Sequence, residues 1–257
     1  MLDTLRMWIG APGAITALIT LVGFLLFKPM KKCYIRLRDR YRRRRSNLLK
    51  LACGLTFDGV EALVGKPITK RAPSNGSQRV TFIYRTREVY VAATAPSKDD
   101  SIDAFAITVR RRGFRLPVTK LLTKQMKLAL PRTRFAALQD HPDSIRYIVG
   151  ASRFGYSEEY YFGRPGLYQH YIVAYNDAGI GKVKAPLQLD SFASGFLRLE
   201  EDEHLPEEPT GSWLRTFRSA VKPNTLAVVG GAAPSLSIIM NHQSVGVDQS
   251  DVSSIPE

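Results

Sequence analysis

The rhythm of hydrophobic and polar positions changes along this chain, and each change predicts an element. Met7 to Phe27 is an uncharged run of 21 residues in which Thr16 and Thr20 are the polar side chains. A helix of that length rises roughly 31 Å, enough to cross a hydrocarbon core about 30 Å thick. A soluble helix carries a polar face, and this run has none, so it predicts a transmembrane helix. A cleaved signal peptide requires a basic n-region, a shorter apolar core and a small-residue cleavage site. Here Asp3 offsets Arg6, and Phe27-Lys28-Pro29-Met30 has no such site.

Beyond the run the pattern becomes that of a domain. Leu51 to Gly65 reads as a helix, with Thr56 as its N-cap, Phe57, Val60, Leu63 and Val64 at helical spacing, and Gly65-Lys66-Pro67 as its stop. Three strands follow by alternation: Arg79 to Arg85, Val89 to Ala93 and Ala104 to Val109. Ala72 to Ser77 supplies linker chemistry and Pro96 to Ser101 a turn. Val118 to Leu130, bounded by two prolines, has the spacing of an amphipathic connecting helix. Phe135 to Gly150 repeats the sense of a helix ending in glycine, before strands at Glu158 to Phe162, Tyr168 to Tyr175 and Ile180 to Leu189, with a hairpin turn at Asn176-Asp177-Ala178-Gly179. The expected fold is thus α+β, a transmembrane helix followed by two α-β-β-β units with antiparallel sheet.

The chain divides on this reading into residues 1–27 (outside N-terminus and span), 28–50 (polybasic juxtamembrane segment), 51–199 (the α+β domain) and 200–257. The last part opens with acidic Glu200 to Glu203 and Glu207-Glu208-Pro209, which suits a linker. It continues through apolar Leu226 to Met240, too short for a second span. It ends in Asn241 to Glu257, whose polar composition predicts a disordered tail.

Charge adds location. Between Lys28 and Lys50 lie 11 basic residues against the single acid Asp39, and the positive-inside rule places this side in the cytoplasm. The expected location is an inner membrane, with the N-terminus outside and the C-terminal domain cytoplasmic. The quartet Arg42, Arg43, Arg44 and Arg45 exceeds what orientation requires. A second basic surface runs from Ala104 to Gln139, which holds nine basic residues and no acid, among them Arg110, Arg111, Arg112, Lys120, Lys124 and Lys127. Both suit anionic lipid head groups, at about 1 kcal/mol per cation near the leaflet, or another polyanion such as nucleic acid. The net charge of +14 is graded, with 12 basic and 2 acidic residues in 1–50, 16 and 6 in 51–134, and 9 and 15 in 135–257.

Chemistry is sparse. Two cysteines, Cys33 and Cys53, write no disulfide framework or zinc spacing, and His141, His170, His204 and His242 include no i, i+4 pair. No phosphate-binding, nucleophile-elbow or dinucleotide motif occurs. No cofactor is expected. The densest cluster is Tyr156 to Gly166, followed by Tyr168, His170, Tyr171 and Tyr175. Tyr160, Tyr161, Arg164, Tyr168 and Tyr171 have the composition of a protein-binding face, and equally that of half-buried strands. An enzyme would need Glu158 or Glu159 to work with His170 and Asp177 in one pocket.

The segment Gly54-Leu-Thr56-Phe-Asp-Gly-Val60-Glu-Ala-Leu63-Val-Gly65-Lys-Pro67, with its following strands, resembles the helix-then-meander opening of SmpA/OmlA-like lipoprotein modules of bacterial envelopes. It is also similar to uncharacterised bacterial proteins with one N-terminal span and a cytoplasmic domain. These resemblances imply an α+β interaction module, although no lipobox cysteine opens this chain. The reading is a single-pass anchored, non-enzymatic interaction or scaffold module with an unidentified protein partner; the alternative is a tethered nucleic-acid or polyanion binder.

Overall fold

The computed structural model describes residues 30–36, 38–71, 79–138, 141–150, 153–165, 167–181, 212–231, 240–241, 244–247 and 251–252. The chain forms two compact units, Met1–Ser46 and Asn47–Glu257. Within the first, residues 30–36 and 38–46 are helical, and Arg42, Arg43 and Arg44 are exposed. The uncharged run Met7 to Phe27 lies outside the described residues, among which no helix is long and apolar enough to cross a membrane.

The second unit is built on one eight-stranded sheet. Its strands are β1 (Pro67–Arg71), β2 (Val80–Arg85), β3 (Val89–Ala95), β4 (Ala104–Val109), β7 (Ser144–Gly150), β8 (Arg153–Arg164), β9 (Leu167–Asn176) and β10 (Thr225–Gly230). The order is β1-β2-β3-β4-β10-β9-β8-β7, and every neighbouring pair is antiparallel. Two meanders, β1 to β4 and β7 to β9, are therefore joined through β10. Small two-stranded pairs β5 (Leu116–Pro117) with β6 (Ala129–Leu130), and β11 (Met240–Asn241) with β12 (Ser244–Val245), complete the strands.

One face of the sheet packs against helices. Helix α1 (Phe57–Val64) starts at Thr56, whose hydroxyl accepts from the Gly59 amide, and ends at Gly65 with φ 94°. It buries Phe57 and Val60, and Phe57 meets Phe82 edge-on at 4.7 Å between ring centroids. Helix α2 (Ser212–Ala220) brings Phe217 to 4.6 Å from the Tyr156 ring, and Phe135 of a short 3-10 turn meets the same tyrosine at 4.9 Å. Residues 110–138 cover the rest of this face with buried Phe114, Leu116, Val118, Leu122, Met126, Leu128 and Leu130.

The opposite face is lined by small side chains. Ala92, Ala104, Ala106, Ala174 and Ala227 lie with Ile83, Tyr90, Ile172 and Val229 against Val245 and Val247 of the C-terminal segment. Such a surface lets backbone approach closely. Gly246, at φ 84°, sits so near that a Cβ there would lie 2.7 Å from that of Ala106. Asn176 holds the segment by donating from Nδ2 to the Val245 and Val247 carbonyls at 2.9 and 2.6 Å. Arg71 donates to the Gly246 carbonyl at 2.7 Å and ion-pairs with Asp251.

The α+β class and antiparallel sheet agree with the sequence reading, and several elements differ. Residues 51–56 are not helical, so the helix begins at Phe57. Val118 to Leu130 is no amphipathic helix: it is a 3-10 turn Val118–Lys120, further turns, and β6. Phe135 to Gly150 is no helix either, but a 3-10 turn Phe135–Ala137 followed by β7. The second meander is thus not opened by an α-helix. Thr225–Gly230, which opens the apolar stretch Leu226 to Met240, is a central strand, and the tail predicted to be disordered contributes Val245 and Val247 to the core. The predicted strand Ile180 to Leu189, the linker Ala72 to Ser77 and the acidic stretch Glu200 to Pro209 fall in whole or in large part outside the described residues.

Candidate functional site

Strand β8 determines where the chemistry lies, because successive side chains point to opposite sheet faces. Its register with β9 pairs Glu158 with Val173, Glu159 with Ile172 and Tyr161 with His170. Tyr156, Glu158 and Tyr160 accordingly face the helical layer, while Glu159 and Tyr161 share the other face with His170 and Tyr168.

On the helical side, Glu158 has no solvent exposure. Its carboxylate accepts from the Tyr156 hydroxyl at 2.7 Å and the Tyr160 hydroxyl at 2.5 Å, and it ion-pairs with Arg218, whose Nε lies 2.8 Å away and whose Nη2 donates at 3.4 Å. Burial lifts the Glu158 carboxyl above the ordinary carboxylate range, opposed by Arg218 and the two hydroxyls. Burial alone would lower Arg218, but Glu158 beside it outweighs that and holds the guanidinium above its usual value. Both tyrosines are pushed upward, first by burial and then by the Glu158 charge, so they remain hydroxyl donors. This is a closed network, with Phe135 and Phe217 stacked over it.

On the other face Tyr161 and Tyr168 meet solvent beside a buried Glu159. Glu159 accepts from His170 Nδ1 at 2.6 Å and from the Ser144 hydroxyl at 2.8 Å. The His170 ring lies 4.5 Å from that of Tyr161, which in turn stacks on Tyr168 at 5.5 Å with 26° between planes. Tyr161 is 48% exposed and Tyr168 43%. Asp143 accepts the Tyr161 backbone amide at 2.6 Å. The three rings form a ladder near the turn of the β8–β9 hairpin, its base fixed by a buried carboxylate.

The geometry sorts the sequence-predicted residues. Tyr161, Arg164 and Tyr168 are exposed; Tyr160 and Tyr171 are buried and belong to the core rather than to a binding face. Arg111, Arg112, Lys120, Lys124 and Lys127 are exposed. Arg110 differs: its guanidinium lies over the Tyr90 ring at 4.9 Å and donates to the Thr86 carbonyl. Glu158 and His170 stand on opposite sheet faces, so they cannot serve one pocket; it is Glu159 that pairs with His170. Ser144 bonds the carboxylate of Glu159, which leaves this trio without the hydroxyl-to-imidazole contact of a nucleophilic triad. Among the described residues no group of three or more potential ligands could hold a metal ion. Arg218 and Ser144 were not anticipated, since each reaches β8 across a separation that no local pattern marks.

Fold and site together define an α+β domain on an open antiparallel sheet with an exposed aromatic ladder. Comparison with protein-family models, with curated proteins and with solved structures finds no match in any of the three.

Proposed function

We propose that this chain is a single-pass membrane-anchored protein of the bacterial inner membrane, N-terminus outside, whose cytoplasmic domain is a non-enzymatic interaction or scaffold module. The observation that carries the module is the Tyr168-Tyr161-His170 ladder, two exposed tyrosines held in register by a carboxylate that is itself bonded on both oxygens. Tyrosines of this kind supply contact area with little side-chain entropy to lose, which suits a protein partner. The anchor rests on the uncharged run Met7 to Phe27 and the basic block that follows it. The likeness to SmpA/OmlA-like modules belongs to the same proposal.

The test is a cytoplasm-only fluorescent reporter fused after Glu257, paired with co-purification from detergent extracts. A fluorescent signal that stays with salt-washed membranes, and a partner retained by the parent chain but lost from Tyr161→Ala/Tyr168→Ala, is the expected result. A soluble product refutes the anchor, and a partner indifferent to both tyrosines refutes the ladder. The acid-free stretch Ala104 to Gln139 favours the second reading, a tethered polyanion binder, which predicts binding that falls steeply with salt.

A further inference from the structure

We propose that the layer formed by residues 110–138 docks on anionic phospholipid head groups, leaving the Tyr161/Tyr168 ladder on the side of the sheet that points away from the bilayer. This deepens the proposed function and rests on its membrane location.

In this layer burial and charge alternate. Leu116, Val118, Leu122, Met126, Leu128 and Leu130 are buried against the sheet, whereas Lys120, Lys124, Lys127, Arg132 and Arg134 are exposed. The apolar side chains fix the backbone, so the cations are displayed from a held surface rather than a floppy arm. No acid occurs between Ala104 and Gln139, and α2, packed beside this layer, adds exposed Arg215 and no acid. Among the described residues, Glu158 is held by Arg218, Asp58 and Glu61 lie on α1, and Glu88, whose carbonyl accepts from the Arg110 and Arg111 amides, is buried.

A second, independent feature is the backbone of the turn. Thr123 and Lys124 both have positive φ, 48° and 64°, a conformation rare for a β-branched residue and costing on the order of 1 kcal/mol or more each. The turn is tied to the hairpin by Gln125, which donates to the Gly163 carbonyl at 3.4 Å. It projects Lys124 outward between buried Leu122 and Met126. A planar anionic surface fits this arrangement, because Lys120, Lys124, Lys127, Arg132 and Arg134 are all exposed on one layer with no acid among them.

The experiment is lysine footprinting of the full chain with a water-soluble acylating reagent, read by mass spectrometry, in vesicles of phosphatidylcholine alone or mixed with phosphatidylglycerol. Lys66, Lys70 and Lys98 are exposed on other elements and serve as internal controls. Labelling of Lys120, Lys124 and Lys127 is expected to fall about tenfold in the anionic vesicles with the controls unchanged. It should be restored near 1 M salt, where the screening length shrinks to about 3 Å. Equal labelling in both vesicle types, for a chain that floats with both, overturns the docking and leaves the anchor standing. Flotation with anionic vesicles alone, with the three lysines protected, supports the docking and overturns the anchor. Flotation with neither overturns both. Protection in neutral vesicles on adding a single-stranded oligonucleotide, without protection by anionic lipid, overturns the docking in favour of nucleic acid.

Discussion

Replacing Arg218 by methionine removes the cation from a buried network and leaves its anion behind. Glu158, with no solvent exposure, then keeps two tyrosine hydroxyls at 2.7 and 2.5 Å but loses the guanidinium at 2.8 Å. Breaking a buried pair from one side costs about 3–5 kcal/mol, a large share of the roughly 5–15 kcal/mol that holds a domain together. The remaining carboxyl, already lifted by burial, rises further once the charge that opposed burial is gone. A carboxyl whose folded pKa lies above its unfolded value contributes most below that unfolded value and loses its contribution as pH rises towards the folded one. R218M is therefore least disadvantaged near pH 5 and most at pH 7, the deficit against the parent chain widening by at most about 1.4 kcal/mol per pH unit. The parent shows the same sign more weakly, because Arg218 favours the charged carboxylate. The double variant Glu158→Gln/Arg218→Met removes both charges and should lose at least about 1 kcal/mol less than the sum of the single losses. Urea unfolding of the full chain in mild detergent, followed by circular dichroism at both pH values, measures all of these. A deficit that does not change with pH, or single losses that simply add, would refute the assignment of Glu158 and Arg218 as a coupled buried pair.

The C-terminal strap gives two further tests. Asn176→Ala leaves the Val245 and Val247 carbonyls without their donor and should cost about 2–4 kcal/mol, read as earlier proteolytic release of residues beyond 240. Gly246→Ala forces a Cβ to 2.7 Å from that of Ala106 at φ 84°, and should cost about 2 kcal/mol or more, visible as a lowered midpoint of thermal unfolding. Burial pushes the Cys53 thiol up to about 11, while Cys33 is exposed, so alkylation near pH 8 should modify Cys33 and reach Cys53 after denaturation; equal rates for the two would contradict the burial. Tyr161→Ala/Tyr168→Ala should change stability by no more than about 1 kcal/mol, because both rings stand at the surface, so that any loss of partner binding is not a loss of fold.

Strands are legible where side-chain size alternates, whatever the burial. Val80–Arg85 alternates, Ala104–Val109 sets Phe105, Ile107 and Val109 against alanine and threonine although both its faces are buried, and Thr56 and Gly65 bracket α1 because cap chemistry is local. Thr225–Gly230 is also buried on both faces, and its Leu226, Val228 and Val229 leave no such alternation to distinguish it from a short apolar helix. Its place between β4 and β9 is set by pairings across more than 50 residues on either side, beyond the reach of any window. The residues of 118–130 failed for the opposite reason. At helical spacing Val118, Leu121, Leu122, Gln125 and Ala129 would share one side and Lys120, Lys124 and Lys127 another, yet the backbone turns through positive φ at Thr123 and Lys124, and the buried side chains are reached by irregular turns.

The site carries the sharper lesson, because a period of two decides it. Tyr156-Ser-Glu158-Glu159-Tyr160-Tyr161 reads as one dense cluster along the chain, but a strand deals its members alternately to two environments. The even positions enter the closed layer with Arg218, where desolvation makes each hydroxyl and the carboxylate structural. The odd positions reach the open face, where Glu159 orients His170 and the rings of Tyr161 and Tyr168 remain available. Adjacent glutamates thus have unlike roles, and the choice between Glu158 and Glu159 as the partner of His170 turns on register. Register in turn depends on which face of β8 the small-residue surface of β4 and β10 continues, through Ala106, Ala227 and Ile172 to Glu159. A one-residue slip of β8 against β9 would exchange the two sets, parting Glu158 from Arg218 and turning Tyr161 away from Tyr168 and His170 on β9. The buried Glu158–Arg218 pair therefore does more than contribute stability: it penalises that slip by the cost of leaving Arg218 buried without its partner, and so fixes which β8 tyrosine the domain displays.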